Sequence, residues 1–334
     1  YGNNIAETQP ELSYPGVELK EVVRLENSNY LFLNLLISED AKAGTFEIQF
    51  LKGKKLIDKY SYTLESRTDN PDLFKGFDNS DVIYLLMPDR FANGNPKNDA
   101  IEGMLEKPNR KNLLGRHGGD IEGIIDHLDY LQELGVTALW INPLLENNMQ
   151  EQSYHGYAIT DYYKVDARFG SNEDYRRLVK EAHKRGLNII MDMVANHCGT
   201  AYYWNDDLPS DDWYNQWPEF TRSNYRGITQ SDPNASAYDY HKMVKGWFDH
   251  TMADLNQQNP YLAEFLIQNT IWWIEYLGLD GIRQDTYPYA YKDFMANWMS
   301  RILEEYPDYN VVGEGRDGKR RRAHGFFHLF RDKD

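Results

Sequence analysis

The sequence predicts an α/β domain with a parallel sheet, a (β/α)8 barrel of which about five strands are present, behind an amino-terminal β-sandwich. Three observations carry this. Short alternating apolar runs crowd residues 17–65. From residue 82 onward, strand-like and helix-like runs alternate. Three polar tags, Asp192-Met193-Val194-Ala195-Asn196-His197, Gly281-Ile282-Arg283-Gln284-Asp285 and Val312-Gly313-Glu314, each close an apolar run. Their side chains then emerge at the carboxyl end of buried parallel strands, the active face of a barrel.

Taken in order, the runs at 30–36, 45–50 and 56–64 are separated by Gly and charged turns, as antiparallel strands are. They define a small sandwich over 1–66, complete or cut short at its start. The barrel domain, 67–315, opens on a polar linker and a strand at 82–87. A helix follows from about Ile121, capped by Asp120 and ended by Gly135. After the strand at 136–141, Ser171 with Asp174 three positions on begins a second helix. Its Tyr175, Leu178, Val179 and Ala182 share one face, and Gly186 closes it. The strand at 187–191 leads into an inserted subdomain, about 198–258, dense in Trp, Tyr, Asp and Asn and too long for an ordinary connection. Asn259 and Pro260 start the next helix, and strands at 279–282 and 309–312 complete the set.

A net charge of −16 sets the chain against nucleic acid and anionic membrane as partners. With 41% hydrophobic residues and a mean hydropathy of −0.72, neither disorder nor a membrane span is expected. The 25 Tyr and 8 Trp suit a ligand with flat apolar faces, such as a sugar, or simply fill a large core. Cys198 is the single cysteine, which excludes an internal disulfide. The chain opens at Tyr1 without an apolar signal segment, so a processed or trimmed product is expected. Oligomeric state is not legible.

Asp285 and Glu314, at adjacent strand ends, are suited to the acid and nucleophile roles of retaining glycoside hydrolysis, which needs two carboxyl groups about 5 Å apart. Arg283 points the same way as Asp285 and keeps it ionised. Glu314 must have a raised pKa to serve as acid, which burial beside Asp285 supplies. Strand-end carboxylates also serve metal sites and salt bridges. Asn93, Asn95, Asn98, Asp99 and Asp120 form a set of hard oxygen donors that suits calcium, with the carbonyl of Gly118 completing the shell. Asn-rich loops are also ordinary turns. In the insertion, Tyr202, Tyr203, Trp204, Trp213, Tyr214 and Trp217 either wall a groove or pack the subdomain.

The three tags in this order, after a long aromatic insertion, resemble the α-amylase family of glycoside hydrolases. The stretch from Met87 to Asn95 and the run Gly118-Gly119-Asp120 are similar to its neopullulanase and cyclomaltodextrinase branch. Arg283-Gln284-Asp285-Thr286-Tyr287-Pro288-Tyr289 is similar to neopullulanases of bacterial starch-utilisation systems. The resemblance implies a TIM barrel that hydrolyses α-1,4-glucosidic bonds of starch, pullulan or cyclodextrins by double displacement. It makes Asp285 the nucleophile and Glu314 the acid/base, with Arg283 orienting Asp285. Asp192, Asn196 and His197 become the floor of the site, and Tyr157 the ring stacked under the sugar. It also implies structural calcium at the Asn-rich set, α-glucan oligosaccharides or polysaccharides as partners, and a periplasmic or other extracytoplasmic setting. Transfer to a sugar acceptor and a non-catalytic glucan-binding relative are the alternatives.

Two departures stand beside the resemblance. The family places a third acid after a His near the seventh strand, and no His-Asp pair follows Glu314 here. After Gly315 comes a basic tail, 316–334, with seven Lys/Arg against three Asp/Glu, a net of +4 that leaves −20 on the residues before it. The expectation is a carboxyl-terminally truncated chain with an open apolar sheet edge, poor folding and impaired activity.

Overall fold

The computed structural model describes residues 1–68, 70 and 73–315, and the backbone of 325–328. The chain divides into two compact units, residues 1–69 with 206–211, and the remainder.

In the first unit, strands β1 (Gln9–Leu12), β4 (Gly44–Lys52) and β5 (Lys55–Leu64) form one antiparallel sheet, and β2 (Val17–Val23) and β3 (Phe32–Ile37) form a second. Alternation along β4 turns Phe46 and Ile48 inward, where they meet Val17, Leu33 and Leu35 of the other sheet. Gly53 supplies the positive φ of the two-residue turn between β4 and β5. Asp207 belongs to this unit as well. Its carboxylate accepts from Asn27, Asn29 and the Tyr1 hydroxyl.

The second unit is a half-barrel. Five parallel strands, β6 (Ile83–Leu86), β7 (Ala138–Ile141), β10 (Asn188–Val194), β13 (Gly281–Asp285) and β14 (Val311–Gly315), lie side by side in that order. Between them run α1 (Pro88–Phe91), α2 (Ile121–Asp126), α3 (Leu128–Glu133), the hairpin of β8 (Leu145–Glu146) and β9 (Asp161–Val165), and α4 (Asn172–His183). The insertion contributes β11 (His197–Gly199), α5 (Ala237–Val244) and β12 (Met252–Asp254), and α6 (Pro260–Leu277) and α7 (Lys292–Glu305) follow. The expected caps are in place. Asp120 accepts from the Gly123 N–H, Ser171 and Asp174 form a reciprocal capping box, and Asn259 receives two N–H groups ahead of Pro260. The face of α4 carrying Tyr175, Leu178, Val179 and Ala182 is buried.

Two expectations change. The single helix expected from Ile121 to Gly135 is two, broken at His127, whose ring nitrogen takes the Gly123 carbonyl at 2.8 Å. The edge at β14, expected to be open, is paired antiparallel by β15 (Gly325–His328), which satisfies its outer row of main-chain groups. The rest of the basic tail, 316–334, lies outside the described residues. No described helix is long and apolar enough to cross a membrane.

At the amino ends of the strands, Phe77 is buried among Ala138, Ile190 and Val312. Gly281 makes room for it, since a Cβ there would lie 2.4 Å from the ring. The side-chain amide of Asn310 accepts from the Phe77 N–H at 2.9 Å and donates to its carbonyl.

Candidate active site

At the opposite ends of the same strands the polar tags converge. Asp192 of β10 sits directly across from Arg283 of β13, so their side chains share a face, and Asp285, two residues on, joins them. One guanidinium serves three carboxyl groups. Arg283 Nη1 donates to Asp192 Oδ1 and Asp285 Oδ1, both at 2.7 Å, and Nη2 pairs with Glu314 Oε2 at 2.5 Å. Burial works against the Arg283 charge, but Asp192 and Asp285 more than offset it, and the group is held firmly cationic. Adjacent nitrogens of one planar group hold Asp285 and Glu314 beside each other.

The electrostatics separate the carboxyl groups. Burial pushes Asp192 up to about 7, against the pull of Arg283 and with a further push from Asp285. Burial also raises Glu314, helped by the charge on Asp285 and opposed by Arg283. The Thr286 N–H donates to Glu314 Oε2 at 3.3 Å, delivered by a left-handed backbone (φ +47°) rare for a β-branched residue.

Tyr157 closes one side. Its hydroxyl donates to Asp192 Oδ2 at 3.0 Å, and Arg283 lies 5.7 Å from its ring centroid. The turn that presents it is fixed by the Tyr157 N–H donating to His155 Nδ1 and by Gly156, where a Cβ would sit 2.1 Å from the Pro143 carbonyl oxygen. His197 packs flat on Phe248 at 5.0 Å, and burial lowers its imidazole to about 4, so it is neutral at physiological pH. Asn196 turns toward Asp254 of β12, a carboxyl that burial raises well above its ordinary value. Of the seven residues expected here, Tyr157, Asp192, Asp285 and Glu314 are joined in one network through Arg283, while Asn196 and His197 adjoin it.

Trp140 was missed by sequence reasoning. Its Nε1 donates to Asp192 Oδ2 at 2.9 Å, and Arg283 lies 4.9 Å from its ring centroid. The register explains it: Trp140 pairs with Ile190, two residues before Asp192, and therefore shares the face of Asp192 and Arg283. Of the insertion aromatics, Tyr202, Trp204, Trp213 and Tyr214 are buried and Tyr202 and Trp204 pack on Tyr162, so these four are core rather than groove wall.

The Asn-rich set lies in the loop after α1. Asn93 Nδ2 donates to Asp99 Oδ1 at 2.7 Å, and Gly118 (φ +86°) approaches so closely that a Cβ would lie 2.6 Å from that oxygen. Asn93 Oδ1 and Asn98 Oδ1 are buried without a hydrogen-bond partner. Asp120 accepts from the Gly94 and Asn95 N–H groups while capping α2, and Asn95 Oδ1 accepts from Lys97 at 3.3 Å. No group of three His, Cys, Asp or Glu side chains among the described residues is arranged to hold a metal, so a cation here would need amide and carbonyl oxygens beside the Asp99 carboxylate.

Residues 85–328 match the alpha amylase catalytic domain, and residues 1–68 match the cyclomaltodextrinase amino-terminal domain. The chain belongs to the α-amylase family. Among α-amylase family relatives, it is 31% identical over 289 residues to neopullulanase 2 of Thermoactinomyces vulgaris, covering 83% of this chain and 43% of that protein. It is 30% identical to the cyclomaltodextrinase of Thermoanaerobacter pseudethanolicus over 244 residues, 70% of this chain and 39% of that one. The crystal structure of an Anoxybacillus α-amylase superposes with a TM-score of 0.61 at 34% identity, covering 73% of this chain and 48% of that one. The chain thus spans less than half the length of these α-amylase family members.

Proposed function

We propose that this chain carries the bond-cleaving site of an α-glucan hydrolase of the neopullulanase type, acting on α-1,4 bonds with retention of configuration. The observation that carries the reading is the sharing of Arg283 by Asp285 and Glu314. In this mechanism the Asp285 carboxylate attacks the anomeric carbon as Glu314 gives its proton to the departing glycosidic oxygen, leaving a glucosyl ester on Asp285. Water then attacks the same carbon, Glu314 takes its proton, and the ester bond breaks. Raising the pKa of Glu314 keeps it protonated for the first step. Asp192, with Asn196 and neutral His197, holds the hydroxyls of the bound sugar, and Tyr157 offers its ring below it.

Proton NMR of the first products from maltoheptaose tests this. The α-anomer is expected at the newly formed reducing end before mutarotation. Initial β-anomer would sink the retaining assignment, and saturable binding without product would favour a glucan-binding role instead.

Calcium belongs to the same proposal. The buried Asn93 and Asn98 amide oxygens, the Asp99 carboxylate and the Gly118 carbonyl are hard donors of the kind calcium takes, with Asn95 and Asp120 bracing the loop. A bound ion there fastens the loop to the start of α2 and takes no part in the chemistry. Chelation with EGTA is expected to lower Tm by roughly 5–10 °C, the scale of losing a well-occupied ligand site in a chain of this size. Added calcium should restore it. An unmoved Tm removes the metal from the proposal.

A further inference from the structure

Gln230 stands in a 3-10 turn of the insertion, Gly227–Gln230, and bears no reactive group. Its side-chain amide nonetheless makes three hydrogen bonds to the segment that follows Asp285. Nε2 donates to the carbonyls of Pro288 at 2.8 Å and Ala290 at 2.7 Å, and Oε1 accepts from the Lys292 N–H at 3.1 Å. Two donors and one acceptor on one planar group are what this backbone requires. A glutamate offers no donor, and an alanine offers nothing.

The clasped loop, residues 286–291, begins with the strained Thr286 whose N–H reaches Glu314. The next residue, Tyr287, lies on Gly313, where a Cβ would come within 2.8 Å of its ring. The placement of this loop therefore sets part of what surrounds Glu314. The insertion also links this loop to His197. Phe248 stacks on His197 and meets Tyr289 edge-on at 5.8 Å. Tyr225 meets Tyr289 at 5.9 Å and donates its hydroxyl to the Phe248 carbonyl at 2.6 Å.

We infer that Gln230 is a positioning residue, holding the 286–291 loop in the shape that admits α-glucan beside Glu314. This rests on the proposed function and extends it to a residue outside the carboxylate cluster. The test compares Gln230→Ala and Gln230→Glu with the parent chain in three measurements: hydrogen exchange over 286–292, maltoheptaose affinity by calorimetry, and Tm. Both variants should exchange the loop amides at least tenfold faster and bind maltoheptaose about tenfold more weakly, with Tm within a few degrees of the parent. Gln230→Glu keeps the acceptor for Lys292 but sets a negative charge against two carbonyls, so it should bind no better than the alanine variant. Unchanged loop exchange overturns the clasp. Faster exchange with unchanged affinity overturns the positioning role. A parent chain that binds no maltoheptaose overturns the inference together with the proposed function, and the parent's own titration tells that failure apart from the others.

Discussion

Arg283→Met is expected to destabilise the half-barrel by about 3–5 kcal/mol at pH 8, the usual consequence of removing one partner from a buried ion pair, and by markedly less at pH 5. The guanidinium is the shared counter-ion of Asp192, Asp285 and Glu314, and Arg283, Asp192 and Asp285 are all buried. Methionine fills much of the same volume without charge, so the loss is electrostatic rather than a cavity. Without the cation, Asp192 and Glu314, already raised by burial, lose the charge that lowers them and rise further above the carboxyl values of the unfolded chain, near 4. A raised carboxyl favours the folded state only while protonated, so the deficit is small at low pH and grows as pH rises through and beyond the unfolded value. Asp192 already behaves this way in the parent chain, whose stability should decline from about pH 4 to about pH 7 on its account. Urea unfolding of both proteins at pH 5 and pH 8 reads the difference directly. A deficit independent of pH would mean that Arg283 matters through packing on Trp140 and Tyr157 instead.

Glu314→Gln should lower hydrolysis of maltoheptaose by about 10²–10⁴, the range for losing a general acid. An aryl glucoside with an acidic phenol departs without protonation, so cleavage of its first bond should fall far less. Because burial and the Asp285 charge raise Glu314, the alkaline limb of the parent's activity should lie above the ordinary range of a glutamic acid. That limb should vanish in the variant. Equal losses on both substrates would reassign Glu314 from proton donor to structural partner of Arg283.

Much of this architecture was legible because it depends on local rules. Strand-end tags followed from apolar runs bounded by polar residues, and the caps at Asp120, Ser171 and Asn259 from short polar side chains whose oxygens accept the first free helix N–H groups. Trp140 and Gln230 escaped because their roles depend on register and on contacts about 50 to 60 residues away, which periodicity does not encode. The break at His127 escaped for a different reason. The apolar spacing of Ile121, Ile124, Leu128 and Leu131 continues across it undisturbed, while a ring nitrogen takes over one carbonyl. In the insertion, composition could not separate stacking surfaces from core, and burial decided for core at Tyr202, Trp204, Trp213 and Tyr214.

The Asn310 amide that grips both main-chain groups of Phe77 spans 233 positions. Closing so long a loop carries an entropic cost that only the finished sheet offsets. During synthesis the segment ahead of β6 has no seat until β14 has left the ribosome, because the pocket for Phe77 is built from β7, β10, β13 and β14 together. Parallel pairing over such separations is expected to make the half-barrel slow to fold, with an aromatic ring waiting on strands spread across almost the whole domain.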